Sequence, residues 1–250
     1  MCLLLLAFKL HPGYPLIIAA NRDEFHSRPA SEAHFWNDKP DILAGKDLQA
    51  GGTWLGISKH GRFAAVTNDH DETPAPVPPR SRGALVMDFL ESDLHPQEYA
   101  INILKNGYEY QGFTLVFGTF NDLYYCSSRT NKSEQVKAGI HGLSNQLFNE
   151  DSYKVRRGKD LLNILLSGPD KISHEDLFFL LQDRTMEWLG NIAEEKKSHS
   201  PIFIKGQDFG TRCSTVILVN NTGNVHFLER TFLPDSTPIK TVQYQFAYRS

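Results

Sequence analysis

An α+β fold built from layered antiparallel sheets is the architecture this 250-residue sequence predicts, and three observations lead there. Strand-like runs come in pairs across short turns. Helix-like runs gather in the middle of the chain, and the two kinds do not alternate in the regular βαβ manner of a doubly wound parallel sheet. With 40% apolar residues, a chain of this length buries one substantial core, so a single domain over 1–250 is expected.

The first hairpin joins the apolar run 2–9 to 14–20 across His11-Pro12-Gly13, and its second arm runs into Asn21-Arg22-Asp23-Glu24. An antiparallel pair across so short a turn returns the end of the second arm beside the start of the first, so Cys2 is expected close to residues 21–24. Further strands at 53–58 and 62–68 meet across His60-Gly61, those at 113–120 and 123–127 across Asn121-Asp122, and those at 214–220 and 225–229 around Asn221-Thr222-Gly223. Helical periodicity marks 83–90, 97–104, 153–166 and 174–182, the last opened by Ser173 with Asp176 as a capping pair. The proline-rich tract 69–82 and the charged tract 194–207 read as loops, positions from which either can border a pocket.

A formal charge of -3 and a pI near 6.4 supply no global cationic field for nucleic acid or anionic lipid. The opening apolar run has no basic flank before it and stops at Lys9 without a small-residue cleavage site, so it reads as a strand and not as a signal core. No other stretch approaches the roughly 20 apolar residues of a membrane span. Cys2, Cys126 and Cys213 are odd in number and far apart, which predicts no disulfide framework and a reducing, cytoplasmic setting. His174-Glu175 lacks the second histidine of a zinc protease, no phosphate-cradling glycine loop is present, and Gly142 to Gln146 lacks the closing glycine of a nucleophile elbow. No metal and no cofactor are therefore expected.

Cysteine directly after the initiator methionine is the chemical signal of greatest interest. Methionine aminopeptidases remove Met before small residues, which would leave a thiol and an α-amine on Cys2, and an amine titrating near 8 can take the thiol proton. The bland alternative is a cysteine that merely begins a buried strand. Asp23 can accept from that amine and orient it, although Asn21 to Glu24 also reads as a solvated turn. Asn68 and Asn145 end apolar segments, where a side-chain amide can stabilise an oxyanion or simply make a turn. Arg212, at the start of an apolar strand, can lower the thiol pKa or hold a carboxylate, Trp54 can wall a pocket, and the Lys154, Arg156, Arg157, Lys159 cluster reads as a solvated helix face.

Together these motifs resemble the transport and Golgi organisation family, also called the NRDE family after the tetrapeptide at Asn21 to Glu24. The Met-Cys start, Ala19-Ala20-Asn21-Arg22-Asp23-Glu24-Phe25 with Arg28-Pro29, Ala50-Gly51-Gly52-Thr53-Trp54-Leu55-Gly56, Val66-Thr67-Asn68, Gly142-Leu143-Ser144-Asn145 and Gly210-Thr211-Arg212 carry the resemblance. The family is similar to the cysteine N-terminal-nucleophile hydrolases, such as bile-salt hydrolases and penicillin acylases. That implies a four-layer αββα sandwich of two antiparallel sheets between helical layers, with Cys2 as nucleophile, Asp23 positioning it, and Asn68 and Asn145 at the oxyanion. Asn21, Arg22, Trp54 and Arg212 fall to substrate binding. Those hydrolases place an arginine before their Asn-x-Asp segment, where this chain has Ala20, so Arg22 is expected to do a different job. The resulting expectation is hydrolysis or acyl transfer on a small-molecule amide. The alternative the resemblance implies is a carrier of haem or of a lipid or acyl-CoA compound in the same pocket, for which the chain offers ten histidines and no CxxCH motif.

Overall fold

The computed structural model describes residues 2–69, 80–168, 172–186 and 200–249, so most of the 69–82 tract and part of the 194–207 tract lie outside the described residues. In chain order the first six strands are β1 (Leu3–Phe8), β2 (Leu16–Phe25), β3 (Ala30–Trp36), β4 (Lys39–Asp47), β5 (Leu55–Ser58) and β6 (Arg62–Asn68). Helices α1 (Arg82–Glu91) and α2 (Pro96–Asn106) follow, then β7 (Phe113–Thr119), β8 (Asp122–Ser127), β9 (Lys132–Gln135) and β10 (Gly139–Leu143). After α3 (Tyr153–Leu166) and α4 (His174–Leu181), the chain closes with β11 (Phe209–Val219), β12 (Asn224–Phe232) and β13 (Pro238–Ala247).

The strands form a six-stranded sheet in the order β10-β1-β2-β11-β12-β13 and a seven-stranded sheet in the order β3-β4-β5-β6-β7-β8-β9, and each neighbouring pair is antiparallel. The two sheets stack face to face. Helices α3 and α4 cover the outer face of the first sheet, and α1 and α2 cover that of the second, giving an αββα sandwich.

The sequence of β1 shows why. Side chains alternate across a strand, and here both sets are apolar: Leu4, Leu6 and Phe8 enter the core between the sheets, while Leu3, Leu5 and Ala7 pack under α3 and α4. Helix α3 answers with a buried stripe of Lys154, Val155, Gly158 and Leu162. Ser173 and Asp176 form the reciprocal capping box that opens α4.

Two features position the candidate site. Strand β2 does not stop at Ala20 but continues to Phe25, because β11 pairs with it along its whole length. At the other sheet, a Cβ on Gly52 would lie 2.7 Å from the backbone of Gly83, so the absence of a side chain lets the start of α1 rest directly on the 51–53 loop. Strands β3, β4, β9, β10 and β13 are additions to the sequence reading. Four of them, β3, β9, β10 and β13, are the edges of the two sheets, and in β3, β9 and β13 polar residues on the solvent side weaken the apolar signal.

Candidate active site

Register brings Cys2 to its neighbours. In β1, Leu3 lies opposite Asn21 of β2 and Leu4 opposite Leu143 of β10, so one step earlier Cys2 falls beside Arg22 on one flank and Ser144-Asn145 on the other. The Cys2 nitrogen donates to Asn145 Oδ1 at 2.8 Å, and the Cys2 carbonyl accepts from Ser144 Oγ at 3.0 Å. Ser144 is itself fixed, its carbonyl accepting from Thr67 Oγ1 at 2.9 Å from the opposite sheet. The thiol faces the main-chain carbonyl of Asp23 at 3.9 Å.

Cys2 opens onto a cavity of about 520 Å³ between the ends of the two sheets, within the usual range for a small-molecule site. Arg22, Asp23, Trp54, Asn68 and Asn145 also line it, with the start of α1 across from them. Along β2 the alternation separates the motif into two jobs. Arg22 shares the inter-sheet face with Ala20, places its guanidinium 4.2 Å from the centre of the Trp54 ring, and reaches Asp47 Oδ2 at 3.4 Å. Asn21 and Asp23 point to the helical face instead.

On that face the Asp23 carboxylate accepts from Lys154 Nζ at 2.6 Å and from Thr211 Oγ1 at 2.7 Å. It makes no hydrogen bond to the Cys2 nitrogen, which is the peptide nitrogen after Met1 and donates to Asn145. Lys154 is only 1% exposed, which corrects its reading as part of a solvated face. Asn21 is likewise engaged inward: Nδ2 donates to the carbonyls of Leu181 and Ile202, and Oδ1 accepts from Ser214 Oγ at 2.6 Å. It ties the sheet to α4 and is absent from the wall of the cavity. Arg212 sits at a bulge between Thr211 and Cys213, and its Nη1 donates to the carbonyls of Phe25 and Arg28. It braces the loop after β2 and does not line the cavity.

Sequence reasoning missed Lys154, Thr211, Asp47 and Arg28. Asp47 gathers the loop at the cavity mouth: Oδ2 takes Arg28 Nε at 2.7 Å, and Oδ1 takes the amides of Gln49 and Ala50. Burial raises the Asp47 carboxyl, but the Arg28 hydrogen bond, the Ala50 amide and the charges of Arg28 and Arg22 outweigh it and hold the group below the ordinary carboxylate range. The other two cysteines are unsuited to attack. Burial pushes the Cys126 thiol up to about 12, and burial with the nearby Glu229 charge pushes Cys213 well above its usual value. Among the described residues no cluster of His, Cys, Asp and Glu could hold a metal ion, and no helix is long and apolar enough to cross a membrane.

The sequence matches the Transport and Golgi organisation 2 family over residues 1–234. The chain belongs to that family. Its relatives in the Transport and Golgi organisation 2 family include the Bos taurus Transport and Golgi organization protein 2 homolog, 33% identical over 277 residues with both chains covered in full, and the Mus musculus homolog, 31% identical over 280 residues with the same coverage. The Drosophila melanogaster Transport and Golgi organization protein 2 is 27% identical over 264 residues, 92% of each chain. Among solved structures, penicillin V acylase from Agrobacterium tumefaciens superposes with a TM-score of 0.54 at 10% identity, over 99% of this chain and 86% of that one. A C2A mutant of conjugated bile acid hydrolase from Clostridium perfringens gives 0.52 at 9%, over 99% and 98%. At such identities the likeness is one of fold, and this member of the Transport and Golgi organisation 2 family has the N-terminal-nucleophile-hydrolase sandwich.

Proposed function

We propose that Cys2, once Met1 is removed, is the nucleophile of a hydrolase or acyltransferase acting on a small-molecule amide. The observation that carries this reading is the clamp on Cys2: its nitrogen on Asn145, its carbonyl on Ser144, and its residue on the wall of a cavity with the dimensions of a ligand site. In the proposed cycle the freed α-amine takes the thiol proton and the sulfur attacks the carbonyl carbon. The amine then passes that proton to the departing nitrogen, leaving a thioester on Cys2 and releasing the amine product. Water, or an acceptor amine in the transferase case, cleaves the thioester, with the α-amine again holding the proton in transit. Asn145 accepts through Oδ1 and so has Nδ2 to offer a developing oxyanion, and Asn68 on the cavity wall is the second amide for that purpose. Asp23 acts as a positioning residue: with its carboxylate fixed by Lys154 and Thr211, its main-chain carbonyl is held against the sulfur.

Support for a small-molecule amide comes from the fold neighbours, a penicillin V acylase and a conjugated bile acid hydrolase. No histidine is among the described residues lining the cavity, so none of those residues supports the alternative of a haem held there by a histidine axial ligand. The test is acyl-enzyme trapping, read by intact mass, with a panel of amides and esters on protein whose first residue has been confirmed as Cys2. A Cys2-dependent adduct is expected, absent in Cys2→Ala and slowed about 10²–10³-fold in Asn145→Ala. A panel that yields no Cys2-dependent adduct would retire the proposal.

A further inference from the structure

The cations on the cavity wall do not all have partners. Arg22 and Arg28 share Asp47, and Arg28 also faces Glu24 at 3.9 Å. Arg80 is divided between Asp88 and Glu109 at 3.2 and 3.3 Å. Arg82 is different: its one hydrogen bond among the described residues is from Nη1 to the Gly112 carbonyl at 3.2 Å, and it meets no carboxylate there.

Its place in the helix disfavours a cation. Arg82 is the first residue of α1, a helix with no acidic residue in its first turn, and positive charge at that end opposes the helix dipole. The same half-buried guanidinium lines the cavity opposite Cys2. Burial, followed by the nearby Arg28 guanidinium, lowers its pKa, while the Cys2 and Glu24 side chains lie close enough to act on it in the opposite sense. A desolvated cation placed against the dipole and beside a second guanidinium is a site with stored affinity for an anion. The other guanidiniums on the wall each face a carboxylate, so Arg82 is the one that faces none among the described residues.

We propose that Arg82 anchors a single carboxylate on the compound that reaches Cys2, which makes that compound a monoanion and not a neutral amide or a phosphate ester. This deepens the hydrolase reading and rests on it for the direction in which the ligand lies. A guanidinium fork takes a carboxylate through two parallel hydrogen bonds, and the bond to Gly112 leaves its remaining N–H groups for that purpose.

The test is calorimetric titration of the full chain carrying Cys2→Ala, so that bound probes do not turn over. The probes are N-octanoylglycine, its neutral primary amide, and N-octanoyl-O-phosphoethanolamine. The carboxylate probe should bind about ten- to hundredfold more tightly than the neutral one, the span of one charge-assisted hydrogen-bond pair. Adding Arg82→Gln should collapse that ratio toward one, and Arg82→Lys should retain part of it. Because Arg82 also holds Gly112, both variants are compared with the parent by near-ultraviolet circular dichroism, and the Lys variant decides if the Gln variant misfolds. Equal affinity for the carboxylate and amide probes, a ratio that survives Arg82→Gln, tightest binding of the phosphate, or no binding of any probe up to its solubility limit would each overturn the proposal. Acylation of wild-type Cys2 by the same probes is scored separately by mass. A carboxylate preference without an adduct retires the hydrolase reading alone, whereas adducts without a charge preference retire the anchor alone.

Discussion

Replacing Lys154 by Met probes the ion pair beneath the nucleophile. The Lys154 and Asp23 side chains are 2% and 0% exposed and 2.6 Å apart, so water cannot take the place of either partner. Methionine keeps most of the stem's volume and removes the charge, leaving the buried Asp23 carboxylate with the Thr211 hydroxyl as its remaining donor. Breaking one side of a buried pair costs about 3–5 kcal/mol. In a chain of this size that corresponds to a fall in Tm of roughly 6–20 °C. The assay is urea unfolding followed by tryptophan fluorescence for Lys154→Met, Asp23→Asn and the double variant. The double variant is expected to recover much of the loss, with a coupling above about 2 kcal/mol, since it leaves no uncompensated charge. A loss below about 1 kcal/mol in Lys154→Met, with additive single effects, would show that the pair is neither dry nor coupled, and the positioning role given to Asp23 would fall with it.

In native protein, iodoacetamide is expected to label Cys2 alone and to label all three cysteines after unfolding, because burial pushes the Cys126 thiol up to about 12 and burial with the Glu229 charge pushes the Cys213 thiol well above its usual value; intact mass counts the adducts. Asp47 has a folded-state pKa below its unfolded one, so its pairing stabilises the fold above the unfolded value and is lost as pH falls through the folded value. Asp47→Asn should therefore flatten the decline of the urea midpoint below about pH 4 while lowering the midpoint at neutral pH. Gly52→Ala should destabilise by about 2 kcal/mol or more, because its Cβ would press on the Gly83 backbone at 2.7 Å, whereas Gly51→Ser meets no neighbouring atom and is limited to the strain of its positive φ; thermal unfolding compares the two.

The hairpin that brings Cys2 beside residues 21–24 was legible because its period and turn are local, and the pairing of Leu3 with Asn21 realises it. What lay beyond local pattern was face. Asn21 and Asp23 were grouped with Arg22 as one charged turn, yet a strand sends odd and even residues to opposite sides, and the continuation of β2 depends on β11 nearly two hundred residues later. Lys154 was obscured by Arg156, Arg157 and Lys159 around it. It nevertheless stands in line with Val155, Gly158 and Leu162, and a cation on the apolar stripe of a helix is itself a sign of a buried partner. In β13 the alternate residues Val242, Tyr244 and Phe246 carried a period-two signal, diluted by the polar residues between them. Asn145 was found as the end of an apolar segment, but its contact with the Cys2 nitrogen follows from the pairing of β10 with β1, which no short window contains.

The bulge at Arg212 has a consequence for how the chain tolerates length changes. Thr211 lies opposite Asp23 and Cys213 opposite Arg22, so removing the residue between them would join two stretches already in phase and leave an unbroken ladder. Removing Thr215 instead would turn every later residue of β11 to the wrong side, sending Val216 and Leu218 from the helical layer into the space between the sheets. A deletion scan along β11 should therefore find one permissive position in an otherwise intolerant strand, with soluble yield as the readout. At that position the sheet carries an arginine it can do without, and what would be lost is the brace on the loop beside the cavity rather than the fold.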